Sequence, residues 1–130
     1  LSRNPNGFFL MIEGSNIDKA AHSNNLEEMM EELLDFDRTA GAVLDWASKH
    51  PGTLVVITAD HNTGAFALTG GSREQGEITG RFGSGSHDGV AVPVYAFGAG
   101  SGDFTGIYEN TDIFNKIMNA LKKGADKPVR

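Results

Sequence analysis

Three of the four histidines fall where a side chain could meet a ligand, and each has a carboxylate close by. Asp18 and His22 stand four apart, so on a helical turn they share one face. A carboxylate oxygen and an imidazole nitrogen there can each reach one ion at about 2 Å. The same spacing also suits a plain Asp–His hydrogen bond on a solvated turn. Asp60 and His61 are adjacent, directly after the β-branched run Thr53-Leu54-Val55-Val56-Ile57-Thr58. Neighbours in a strand point to opposite faces, so they can share a metal only if the strand has ended and the chain is turning. Otherwise Asp60 simply starts the turn beside an exposed His61. His87 sits among small residues, Gly83-Ser84-Gly85-Ser86-His87-Asp88-Gly89, which let backbone approach a ligand closely. Glu13 ends an apolar run, where an unpaired carboxylate is costly and a hard cation or a basic side chain would relieve it. The fourth histidine, His50, precedes Pro51 at a predicted helix end, where a cation suits the dipole, and it takes no catalytic role.

Asp, His and Glu without any cysteine form a nitrogen and oxygen donor set. Such donors suit Zn²⁺, and an all-oxygen position suits Mg²⁺. Two metals side by side would clamp the attacking and leaving oxygens of an in-line displacement, which points toward phosphoryl transfer.

The elements that must position these groups follow from hydrophobic pattern. Gly7-Phe8-Phe9-Leu10-Met11-Ile12, residues 53–58 and Pro93-Val94-Tyr95-Ala96-Phe97-Gly98 read as strands buried on both faces. Asn25 with Glu28 forms a capping-box signal for one long helix, Leu26 to Ser48, stopped by Pro51-Gly52. Residues 64–89 read mostly as loop, with short strands near Phe66 and Ile78. Asn110 or Thr111 caps a last helix with Ile113, Phe114, Ile117, Met118 and Leu121 on its inner face. Lys122 and Lys123 would complement the end of that helix, and residues 127–130 are expected to fray. Strands alternating with helices predict an α/β fold, a mainly parallel sheet covered by helices. Ligands of such sheets bind beyond the C-terminal ends of the strands, where Glu13, Asp60 and His61 fall.

Bulk properties narrow the class. The 130 residues suit one domain, and 39% hydrophobic with 22% charged residues is globular composition. A net charge of -6 with scattered basic residues argues against a nucleic-acid binder. No apolar run is long enough for a membrane span. The chain opens at Leu1, not Met, and is expected to be a partial chain.

Four ordered motifs carry a family resemblance over nearly the whole chain. They are residues 7–22, Thr58-Ala59-Asp60-His61-Asn62-Thr63-Gly64, residues 86–94, and Glu109-Asn110-Thr111-Asp112-Ile113-Phe114. Together they resemble the C-terminal, metal-binding part of the alkaline phosphatases. The resemblance implies an alkaline phosphatase-like fold, of which residues 1–130 would be a single C-terminal part. It implies Asp18, His22 and His87 on a first zinc, Asp60 and His61 on a second, and Glu13 on magnesium. It does not fix whether those two zinc ions and one magnesium occupy the isolated chain. Lys19 resembles a position that tunes phosphate and metal contacts. The implied reaction is hydrolysis of phosphate monoesters through a phosphoserine, in a homodimeric periplasmic or secreted parent enzyme.

The family's serine nucleophile, the aspartate linking zinc to magnesium and the phosphate-gripping arginine come from an N-terminal part with no match here. Ser15, Ser84 and Ser86 fit no nucleophile motif, so no catalytic residue is assigned. Asp88 stands where threonine is common, either as an acceptor for His87 or as added negative charge. Ala65 replaces a common glycine. Two other readings stand beside this one: a phosphodiesterase or other superfamily member, and a non-catalytic metal-binding domain. The pure chain is expected to show negligible phosphatase activity with added zinc; robust zinc-dependent turnover in a chromogenic ester assay would overturn that.

Overall fold

The computed structural model describes residues 1–125. The expectation of fraying at 127–130 lies outside the described residues. In chain order the elements are α1 (Ser15–His22), α2 (Leu26–Ser48), β1 (Leu54–Thr58), β2 (Asn62–Thr63), β3 (Ala67–Ser72), β4 (Glu77–Arg81), β5 (His87–Asp88), β6 (Val94–Gly98), a 3₁₀ turn (Ser101–Phe104) and α3 (Asp112–Ala125).

Helix α2 begins and ends where the sequence places it. Asn25 Oδ1 accepts from the Glu28 backbone N–H at 3.2 Å, and its Nδ2 donates to Glu28 Oε2 at 3.0 Å. One free helical N–H is thereby satisfied and the cap locked to the first turn. Past the helix end, Gly52 takes φ +106°, a value that favours glycine and turns the chain toward β1.

The chain divides into two compact units. The described residues of the first are 1–13, 42–57 and 94–125. Within it β1 and β6 form a two-stranded sheet, and Ala47 and Phe104 are buried. Phe8 packs edge-on against Trp46, which stacks on His50 at 3.9 Å. His50 Nδ1 donates to the Trp46 carbonyl at 2.7 Å, a structural role that agrees with its position at the helix end. Asp103 ties α3 to the 3₁₀ turn: its carboxylate meets Lys123 Nζ at 2.8 Å, and its carbonyl accepts from Lys116 at 2.6 Å.

The second unit contains residues 14–41 and 58–93. Its core is small: Ala20, Ala21 and Met29 are buried, flanked by Ile17, Leu26, Phe66 and Phe82. Alanines at the centre let α1 lie close to β2. Gly64 lies at φ +80°, and a side chain there would meet Phe82 at 2.8 Å and the Ala21 carbonyl at 3.1 Å. Strand β2 pairs antiparallel with β5, placing Asn62 opposite Asp88 and Thr63 opposite His87. Strands β3 and β4 form an antiparallel hairpin with an irregularity between Leu68 and Gly70.

Four expectations are corrected. Strand β6 forms where expected but is not buried on both faces, since Tyr95 and Phe97 are exposed. The described strands form three two-stranded sheets, not one mainly parallel sheet, and the two pairs around the Gly-rich segment are antiparallel. Short connections such as the turn from Ser72 to Glu77 close only antiparallel pairs; parallel strands need a long crossover. Residues 7–12 form no strand, and Phe9, Leu10, Met11 and Ile12 are exposed. A strand buried on both faces exists only when neighbours supply its hydrogen bonds and its cover, and this run has no strand partner among the described residues. In α3, Ile113 and Ile117 are half-buried, but Phe114, Met118 and Leu121 face outward. Asn25→Ala is expected to lower stability by about 1 kcal/mol through the lost cap, read from the midpoint of urea unfolding.

Candidate metal centre

Each ligand candidate of the second unit is delivered by a short, well-specified element. Helix α1 places Asp18 and His22 on one face, and their side chains meet at 3.5 Å, Oδ2 to Nε2. His87 comes from β5, which Gly64 helps to anchor: the Gly64 N–H donates to the Ser86 carbonyl, and its own carbonyl accepts from Gly83 and Ser84. His87 Nε2 lies 3.0 Å from His22 Nε2 and 3.5 Å from Asp18 Oδ1. Two imidazole nitrogens and a carboxylate oxygen thus converge within 4.8 Å of one another.

Hydrogen bonds on the far side of each ring decide what the near side offers. His22 Nδ1 lies 2.8 Å from the Gly85 carbonyl, which can only accept, so Nδ1 carries the proton. In the neutral ring Nε2 then presents a lone pair toward Asp18 and His87, the state a metal requires.

The second candidate pair is built by Thr63, which is only 8% exposed. Its hydroxyl donates to Asp18 Oδ1 at 2.6 Å. That bond is the main cause holding the Asp18 carboxyl below its ordinary pKa; burial opposes it, and His22, His87 and His61 add to the lowering. Asp18 is therefore an ionised, acceptor-only group at neutral pH. Having given its proton to Asp18, the Thr63 oxygen accepts from His61 Nδ1 at 3.1 Å. His61 Nε2 is left with a lone pair facing Asp60 Oδ2 at 3.2 Å. Two acceptors at that distance call for a cation or proton between them. The chain bends at Asp60 after β1 ends, which is what lets adjacent side chains meet. Asp60 is 87% exposed and His61 28%. The His61 ring stacks on His87 at 3.6 Å, so the two donor groups are neighbours. Oriented lone pairs and ionised oxygens at both groups fit divalent metal ions.

Other expected residues fall elsewhere. Glu13 lies in the first unit, exposed, just before Gly14, the cap position of α1. Lys19 Nζ donates to Asn16 Oδ1 at 3.0 Å, which ties it to the first turn of α1. Ser84 and Ser86 are engaged within their own loop, Ser84 Oγ donating to the Ser86 carbonyl. Asp88 does not act as an acceptor for His87: the donors to its carboxylate are Asn62, Ala65 and Val90. The Val90 N–H, then Asn62 and Ala65, hold its carboxyl below the ordinary value. Sequence reasoning missed Thr63 and Asn62. Their only signal was position inside the Asp60–Gly64 segment, because their partners sit 45 and 26 residues away.

Comparison with known proteins gives this geometry a family. Residues 1–82 match the family model for alkaline phosphatase. The chain belongs to the alkaline phosphatase family. Streptomycin-6-phosphate phosphatase of Streptomyces griseus is 36% identical over 88% of this chain and 29% of its own length. Alkaline phosphatase H of Pseudomonas aeruginosa is 34% identical over 93% of this chain and 29% of its own. The solved alkaline phosphatase of the Antarctic bacterium TAB5 superposes with a TM-score of 0.86 at 42% identity, covering 94% of this chain and 37% of that one. A mutant of the TAB5 enzyme, similar at TM-score 0.85, has magnesium bound. The chain therefore has an alkaline phosphatase-like fold and spans well under half the length of these relatives.

Thr63→Val keeps the shape and removes both hydroxyl bonds, so it is expected to weaken zinc binding about 10–100-fold, whereas Thr63→Ser stays close to the native affinity. Competition against a chromogenic chelator reads the difference; equal affinities for all three proteins would show that the hydroxyl does not orient the ligands.

Proposed function

We propose that this chain is the metal-binding portion of a phosphomonoesterase, with Asp18, His22 and His87 on one zinc and Asp60 and His61 on a second. The single observation that carries the reading is the convergence of His22 Nε2, His87 Nε2 and an Asp18 carboxylate oxygen, with the His22 tautomer set by Gly85. Glu13 is assigned to magnesium, and Lys19 to a tuning contact near phosphate; both rest on motif resemblance. The magnesium in the TAB5 mutant supports a metal-dependent family chemistry.

When bound, the ions supply positive charge to the attacking and leaving oxygens of an in-line phosphoryl displacement. The chain's own residues hold that site. Gly85 and Thr63 fix which ring nitrogens of His22 and His61 are free of protons. Asp18 remains ionised through its hydroxyl donor. The exposed Asp60 carboxylate and His87 ring leave the site open to a substrate as polar as a phosphate ester. The serine nucleophile and the phosphate-gripping arginine belong, on this reading, to the rest of the parent enzyme. That remainder would cover the exposed run 8–12. A homodimeric, periplasmic or secreted parent completes the proposal. Among the described residues no helix is long and apolar enough to cross a membrane.

His22→Ala in the whole protein is expected to lower phosphomonoesterase activity by more than the roughly 10–100-fold typical of outer-sphere partners, with chelation abolishing the native activity and zinc restoring it. Near-native turnover by the variant would remove His22 from the site. A preference for diesters over monoesters would favour the phosphodiesterase reading instead.

A further inference from the structure

The antiparallel pair β2–β5 carries His87 on β5 and directly follows His61 at the start of β2, but is only two residues long on each side. Ladders so short are marginal by themselves. Asp88 supplies the missing attachment. Its Oδ1 accepts from Asn62 Nδ2 at 3.1 Å and from the Val90 N–H at 3.0 Å; its Oδ2 accepts from Asn62 Nδ2 at 2.9 Å and from the Ala65 N–H at 2.9 Å. One carboxylate therefore holds both ends of the 62–65 segment and the start of the chain after β5.

Ala65 makes the attachment more telling. It lies at φ +44°, a left-handed conformation that alanine rarely adopts. Backbone in that state persists only where neighbouring contacts hold it, and Asp88 Oδ2 accepts the N–H of this residue. The residues flanking the clamp are those of the metal centre. His61 precedes Asn62, Thr63 follows it, and His87 precedes Asp88. The His61 and His87 rings stack at 3.6 Å across this junction.

We propose that Asp88 is a positioning residue for the metal centre: its carboxylate fastens the 61–65 segment to the 87–90 segment and so sets the separation of the His61 and His87 ligand nitrogens. It touches neither substrate nor ion and acts through the backbone and Asn62. The assignment rests on the metal-site reading above. It predicts that loss of the carboxylate spreads both donor groups, while the core around Ala20, Ala21 and Met29 stays intact.

The test compares Asp88→Ala, Asp88→Asn and Asn62→Ala with the native sequence in the whole protein. Zinc affinity is read by chelator competition, and the metal-free melting temperature is read in parallel. Asp88→Ala is expected to weaken zinc about 10–100-fold. Asp88→Asn keeps one acceptor oxygen and falls between it and native. The double variant Asn62→Ala/Asp88→Ala is expected to be no weaker than Asp88→Ala alone, because the two residues share one contact. Should Asp88→Ala fail to fold, Asp88→Asn carries the comparison. Zinc affinity within about twofold of native in the folded variants, even with a lower melting temperature, would make Asp88 merely structural and overturn the proposal alone. A native protein that takes up no zinc would overturn the metal-site reading, and this assignment with it.

Discussion

A hydroxyl group has one proton to give, and at Thr63 that proton goes to Asp18. The hydrogen-bond order from Asp18 through His61 to Asp60 follows from that direction. Because the oxygen has donated, it is left to accept from His61 Nδ1, and His61 Nε2 is freed to face Asp60. Because Asp18 is held ionised, it offers oxygen lone pairs to the point where His22 and His87 meet. One nearly buried side chain thereby aligns donors from α1, from the bend after β1 and, through the β2–β5 register, from β5. A buried hydroxyl without partners would be costly, so this alignment also satisfies Thr63 itself.

The surrounding fold is arranged to let that contact form. Ala20 and Ala21 keep α1 close to β2, and the absence of a side chain at Gly64 admits Phe82 and the Ala21 carbonyl. The same Gly64 backbone anchors the loop that ends in His87. Small residues are used where approach matters, and Phe66 and Phe82, 4.9 Å apart, fill the volume beside them. The rings and carboxylates themselves remain partly solvated.

Local features were legible in the sequence where the determining interactions are local. Helix α2 was placed from the Asn25–Glu28 cap to Ser48 because cap, periodicity and the Pro51-Gly52 stop lie within or beside the segment. Asp18 and His22 were paired for the same reason: the helical repeat alone brings them together. Residues 7–12 show the converse. Their apolar run fits a buried strand, but burial is conferred by neighbours, and without a paired strand Phe9 and Met11 stay exposed. In α3 the 3.6-residue period identified an apolar face wider than the part that packs, so Ile113 and Ile117 turn inward and Phe114 does not.

Residue identity by itself determined the donor set: aspartate and histidine without cysteine, on a helical turn, after a strand and in a glycine-rich loop. It also carried the motif order that marks the family. Only the tertiary structure decided which atoms of those residues are available. The proton position on His22 depends on the Gly85 carbonyl, 63 residues away, and that on His61 depends on what Thr63 does with Asp18. For Asp88 the sequence leaves open an acceptor for His87 or an added negative charge, and the packed strands show its carboxylate accepting from Asn62, Ala65 and Val90, not from His87. Sequence spacing fixes distances along the chain over a few residues; hydrogen-bond direction across tens of residues is set by how strands register and helices pack.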